Sequence, residues 1–212
     1  KRAAAILVAN FVPEAAAFDR ADVVTFLLGK GADHRLATKV VDLATLTAGD
    51  PPARPGAAAG AKQIPGLTRQ FRYNELIGTQ GGLTALLFAT REGYTASATA
   101  LLAGGADINQ AKPGDGTTPL LMAVINGHFD LAMTFLAKGA DVSRSAANGA
   151  APLYATLNHR WAPKSQYPNP KGYQQQTTSY LQVMQALLDK GADPNARIRR
   201  KVWYQAFNSD FA

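Results

Sequence analysis

Three six-residue blocks constrain the fold more than anything else in the sequence. They are Thr84-Ala85-Leu86-Leu87-Phe88-Ala89, Thr118-Pro119-Leu120-Leu121-Met122-Ala123 and Ala151-Pro152-Leu153-Tyr154-Ala155-Thr156, with starts 34 and 33 residues apart. Each is followed by a matching end: Gly104-Gly105-Ala106-Asp107, Lys138-Gly139-Ala140-Asp141 and Lys190-Gly191-Ala192-Asp193, and an earlier end stands alone at Lys30-Gly31-Ala32-Asp33. A period of this length marks a chain of stacked supersecondary units.

The residue types explain what one unit does. Thr84 and Thr118 can cap a helix through their hydroxyls, and Pro119 or Pro152 at the first helical position gives up an amide that has no partner there. Gly93 and Gly127 can adopt the left-handed conformation that ends this short helix. Ala98, Leu101 and Leu102, or Leu131, Phe135 and Leu136, then give a second helix one apolar face. The Gly-Ala-Asp stop turns the chain out into a finger, which makes the recurring Asp33, Asp107, Asp141 and Asp193 turn-forming residues. A single pair cannot cover its own apolar surface, so pairs stack, and small Ala89, Ala123 and Ala155 let them approach closely.

In these motifs the chain resembles the ankyrin-repeat family, and residues 82–109 follow that pattern without a gap. The resemblance implies an all-α ankyrin solenoid of about four helix pairs with two inserted loops. The first pair can be threaded in two ways. Residues 10–33 fit without a gap but put Pro13 inside the first helix; alternatively residues 4–9 supply that helix, with extra residues after it. The second is preferred, because an interior proline costs a helix about 3 kcal/mol. The family's histidine after Thr-Pro-Leu is replaced by Leu87, Leu121 and Tyr154, which puts its usual hydrogen bonds between repeats in doubt.

Residues 1–41 thus read as an irregular first repeat, 42–81 as an Ala-, Gly- and Pro-rich insertion, and 82–212 as further repeats with a loop at 159–178 and the start of another repeat. The first insertion falls between two repeats and should emerge on the finger side; the second splits a helix pair and should emerge at the opposite edge. Limited proteolysis should cut first between Gly49 and Gly66, where glycine- and alanine-rich backbone has little to hold it. First cleavage inside residues 84–141 would contradict the repeat assignment. No polar capping repeat stands at either end, so further repeats are expected beyond one or both termini.

Few features point to catalysis. The sequence has no cysteine, no phosphate-binding Gly-x-x-x-x-Gly-Lys and no Gly-x-Ser-x-Gly elbow. His34, His128 and His159 fall in a finger, a turn and a helix end, and the three glutamates, Glu14, Glu75 and Glu92, share no repeat position. The expectation is a non-enzyme without cofactor or metal, and no run is long and apolar enough for a membrane span.

Binding is better supported. Of the net charge of +7, the stretch 160–201 carries +6. Within it the second insertion interleaves Trp161, Lys164, Tyr167, Lys171 and Tyr173 with prolines, and a later cluster joins Arg197, Arg199, Arg200, Trp203 and Tyr204. Aromatic and basic groups together suit a protein partner, since rings bring large contact area at low entropic cost. The same rings could instead fold the loop back on the last helix pair, and the second cluster could be a solvated finger. Three functions follow in order: a protein-binding scaffold, a polyanion or nucleic-acid binder through the basic stretch, and an accessory subunit of a larger assembly. The chain also resembles large bacterial ankyrin proteins with a proline-rich interruption, which implies export to the periplasm or beyond.

Overall fold

The computed structural model describes residues 11–46, 78–161 and 176–199. Helices come in consecutive pairs. Residues 11–17 (α1) precede α2 (Ala21–Gly29); α3 (Ala85–Glu92) precedes α4 (Thr95–Ala103); α5 (Pro119–Ile125) precedes α6 (Phe129–Ala137); and α7 (Pro152–Trp161) precedes α8 (Tyr180–Asp189). First helices stack on first helices (α3 on α5, α5 on α7) and second on second (α2 on α4, α6 on α8), so the chain is an all-α solenoid.

The helix ends follow the chemistry of the repeat. The Thr84 hydroxyl accepts from the Leu87 amide at 3.4 Å and the Thr118 hydroxyl from the Leu121 amide at 3.3 Å, with Pro119 in the first turn. In α8, Ser179 and Gln182 cap one another reciprocally, with the Gln182 amide 3.3 Å from the Ser179 hydroxyl and the Ser179 amide 2.7 Å from the Gln182 side chain. Gly93 and Gly127 sit at φ +82° and +76°, the left-handed geometry expected of the turn between helices. Leu86, Leu101, Leu120, Leu131, Phe135 and Leu187 are fully buried in one core that runs through all four pairs.

The first pair corrects the preferred threading. Residues 11–17 are helical and contain Pro13, which is the gapless alternative; residues 4–9 lie outside the described residues. In the register of α3, Pro13 takes the place of Leu87, whose amide bonds the Thr84 hydroxyl and no backbone carbonyl. A proline there forfeits a capping bond and leaves the helical ladder intact, so the interior penalty does not apply. Asp19 stands where Gly93 stands in the next pair and adopts φ +52°, which aspartate tolerates better than most residues. Its carboxylate accepts from the Ser97 hydroxyl at 2.9 Å and tethers the first pair to the second.

The first insertion leaves from a finger, as its position requires. Strands β1 (Val41–Asp42) and β2 (Thr79–Gln80) pair antiparallel, Val41 opposite Gln80 and Asp42 opposite Thr79. The pairing runs on toward the helices: the Thr38 amide bonds the Leu83 carbonyl, the Gly82 amide bonds the Thr38 carbonyl, both at 3.0 Å, and Ala37 bridges Thr84. One helical turn, Leu43–Leu46, follows β1.

Candidate interaction surface

Each finger is built on the same local device. The carboxylates of Asp33, Asp107, Asp141 and Asp193 accept from the amide two residues on, those of Arg35, Asn109, Ser143 and Asn195, at 2.8–2.9 Å. These aspartates are turn-formers, in keeping with their recurrence. Fingers then bond to fingers. The Ala147 amide reaches the Asp115 carbonyl at 2.8 Å, and one repeat later the Arg199 amide reaches the Asn148 carbonyl at 2.7 Å. Side chains reinforce the middle of the array: the Asp141 amide donates to the Asn109 side chain, and Arg144 donates to the Asn109 carbonyl at 2.9 Å. The equivalent place in the preceding finger is Pro113, which has no amide to give.

Arg197 and Arg199 lie on the fourth finger with their side chains exposed. Trp161 is the last residue of α7. Lys164, Tyr167, Lys171, Tyr173, Arg200, Trp203 and Tyr204 lie outside the described residues.

The base of the second insertion is held by a residue that sequence reasoning passed over. Asp130, the second residue of α6, accepts from the amides and hydroxyls of both Thr177 and Thr178 at 2.6–3.0 Å, while its own amide donates to the Gln176 side chain at 3.0 Å. Burial pushes the Asp130 pKa up, but the Thr178 hydroxyl, the Thr177 amide and hydroxyl and the Thr178 amide outweigh it and hold the pKa at about 2, below the usual 3.8. The partners are 46 to 48 residues away and carry no motif, so only the fold could bring them together.

Because the folded pKa is lower, the unfolded chain binds more protons between about pH 4 and pH 2. Stability from Asp130 is therefore complete above pH 4 and lost as the pH falls through that window. Asp130→Asn should cost roughly 1–2 kcal/mol at neutral pH, after allowance for solvent screening of a half-buried carboxylate, and should flatten this acid limb. Melting curves from pH 7 to pH 2 on both proteins measure it; equal acid limbs would contradict the assignment.

His128 and His159 are structural by their contacts. His128 follows the Gly127 turn, and its Nε2 lies 2.9 Å from the Arg91 carbonyl. A carbonyl only accepts, so Nε2 carries the proton. Burial lowers the His128 pKa against the opposing Arg91 bond and the Glu92 charge, so the neutral ring is the native form. In the fourth pair the insertion replaces the turn, and buried His159 takes over from the end of α7. Its Nδ1 lies 3.3 Å from the Ile125 carbonyl, the counterpart of Arg91, and its ring packs edge-on against Phe129 at 5.4 Å. The link between repeats that the missing family histidine put in doubt is thus made by other side chains, Gln110 to Thr84 among them. Among the described residues, no three His, Asp or Glu side chains gather as metal ligands would. Nor is any described helix long and apolar enough to cross a membrane.

No curated protein matches the chain. A family model for ankyrin repeats, in three copies, matches residues 58–146, a span that takes in α3 to α6 and the fingers between them. Outside that span, α1–α2 and α7–α8 repeat the same helix pairing and finger turn. Ankyrin repeats work as interaction modules and are typically not enzymes. With the period, the caps, the finger turns and this match in agreement, residues 58–146 are ankyrin repeats and the chain is an ankyrin-repeat protein.

Proposed function

We propose that this chain is a scaffold for a protein partner, which it binds on the surface lined by its fingers and first helices, with the 161–173 loop as an added contact. The observation that carries this is the finger array. Backbone bonds from Ala147 to Asp115 and from Arg199 to Asn148 hold successive fingers in one register, so exposed Arg197 and Arg199 stand on a rigid edge. A pre-ordered surface loses little entropy on binding, which favours recognition. The loop supports the same reading. It adds aromatic and basic groups to a pair whose neighbour, α5–α6, forms without it, and Asp130 pins its return. Arg200 follows them in the sequence and adds a further positive charge.

The basic stretch favours a second reading, a polyanion partner. The two separate in a capture experiment with the chain as bait, run with and without nuclease across a salt series. A protein partner survives nuclease and weakens modestly with salt. A nucleic acid is lost to nuclease, and its affinity falls by orders of magnitude between low and moderate salt.

A further inference from the structure

The sequence holds two asparagine-glycine pairs, Asn126-Gly127 and Asn148-Gly149, and the fold sets them in different chemical positions. A glycine has no side chain to shield its amide, so that nitrogen can attack the side chain of the preceding asparagine. The nitrogen bonds to Cγ, the side-chain amide leaves as ammonia with the proton the nitrogen gives up, and a succinimide ring forms. Water then opens the ring at one carbonyl to give aspartate, or at the other to give isoaspartate, in which the main chain runs through Cβ. Asn126 is turned away from this reaction. It closes α5 at φ −87° and ψ 0°, and its Nδ2 donates to the Met122 carbonyl at 2.9 Å, which draws the side chain back toward the helix. Asn148 lies in the third finger and is turned toward it. Its Oδ1 accepts from the Ala150 amide at 2.9 Å, so the side chain folds forward over the Gly149 amide. That donor is also aimed at the oxygen on which negative charge develops when Cγ becomes tetrahedral, where a fixed hydrogen bond lowers a barrier most. The Gly149 amide is held by the Ala146 carbonyl at 2.8 Å and the Gly127 amide by the Val124 carbonyl at 3.1 Å, so both pairs share this restraint and differ in the side chain.

We propose that Asn148 is a site of spontaneous deamidation, and that its conversion to isoaspartate unlocks the fourth finger from the third. The two fingers meet at this residue. The Asn148 carbonyl accepts from the Arg199 amide at 2.7 Å. Gly149 beside it is buried, and a Cβ there would lie 2.7 Å from the Arg199 amide nitrogen and 2.9 Å from the Arg197 carbonyl oxygen. The isoaspartyl link lengthens the main chain by a carbon directly before Gly149, at a joint with no room to take it. Gly149 is displaced, the bond from Arg199 is lost, and Arg197 and Arg199 leave the rigid edge of the finger array. The modification is a property of the turn and stands whether or not the fingers hold a partner.

The intact chain is aged at mildly alkaline pH, well below its melting temperature, beside the same chain in denaturant. Tryptic cleavage after Lys138, Arg144 and Arg160 puts Asn126 and Asn148 on separate peptides, and mass spectrometry follows each. In denaturant both should convert at similar rates. In the folded chain Asn148 should convert several-fold faster than Asn126, with isoaspartate the main product. In the converted fraction the Arg199 amide should lose its protection from hydrogen exchange, while the amides of α5 and α6 keep theirs. Asn148→Asp carries the new charge without the extra carbon, and it should retain the Arg199 protection. Conversion of Asn148 no faster than that of Asn126 in the folded chain would overturn the proposal. An Arg199 amide still protected after conversion, or one equally exposed in Asn148→Asp, would overturn the unlocking by a lengthened backbone.

Discussion

Phe135→Ala should lower the stability of the chain by about 3–5 kcal/mol, the range for truncating a large aromatic ring in a packed core. Phe135 is fully buried in α6, at the position held by Leu27, Leu101 and Leu187 in the other pairs, all of them buried. In a solenoid each repeat is supported only by its neighbours, so the loss does not stay in one pair. Removing the ring weakens α6 against both α5 and α8 and cuts the stack near its middle. Denaturant unfolding should show either a large drop in midpoint or a split transition in which the two sides separate. A change under about 1 kcal/mol would mean that the core does not run through this position.

Gly93→Val should cost about 2–4 kcal/mol, and two separate causes add. Gly93 holds φ +82°, where a β-branched residue is strained by about 1–3 kcal/mol. A Cβ at this site would also lie 2.4 Å from Nδ1 of His128, so the ring must leave and its bond to the Arg91 carbonyl is lost. Gly127→Val carries the conformational strain of φ +76° and should cost about 1 kcal/mol or more. His128→Ala should shrink the cost of Gly93→Val, and an equal cost in the presence and absence of the His128 ring would refute that contact. Because the neutral ring is native, acidification below the ordinary histidine pKa of about 6.5 should weaken the same turn.

What could be read from the sequence was what repeats. Thr84, Thr118, Gly93, Gly127 and the four finger aspartates recur with the period, and each does in the structure what its side chain and spacing dictate. What could not be read was what happens once. Pro13 looked like a helix breaker because the position of the first turn was unknown; with Leu87 as its counterpart it costs only a capping bond. His159 looked like an incidental helix end, yet it substitutes for the turn histidine by reaching the equivalent carbonyl from the other side of the insertion. Asp130 had no local signal, since its threonine partners come from the far end of that insertion.

The proposal that this chain binds a protein partner with help from its second insertion is tested most directly by removing that insertion. Residues 160–176 are replaced by a short glycine-containing turn, with Thr177, Thr178 and Asp130 left in place so that the base of α8 remains tied. Helical circular dichroism and melting temperature establish that the stack is intact, and partner capture is then compared with the parent protein. The expected result is normal folding with capture sharply reduced, and charge reversal at Lys164 and Lys171 would then separate an acidic partner from contacts made by the rings. Normal folding with undiminished capture would contradict the proposed role of the loop, and failure to fold would assign its aromatic residues to the core instead.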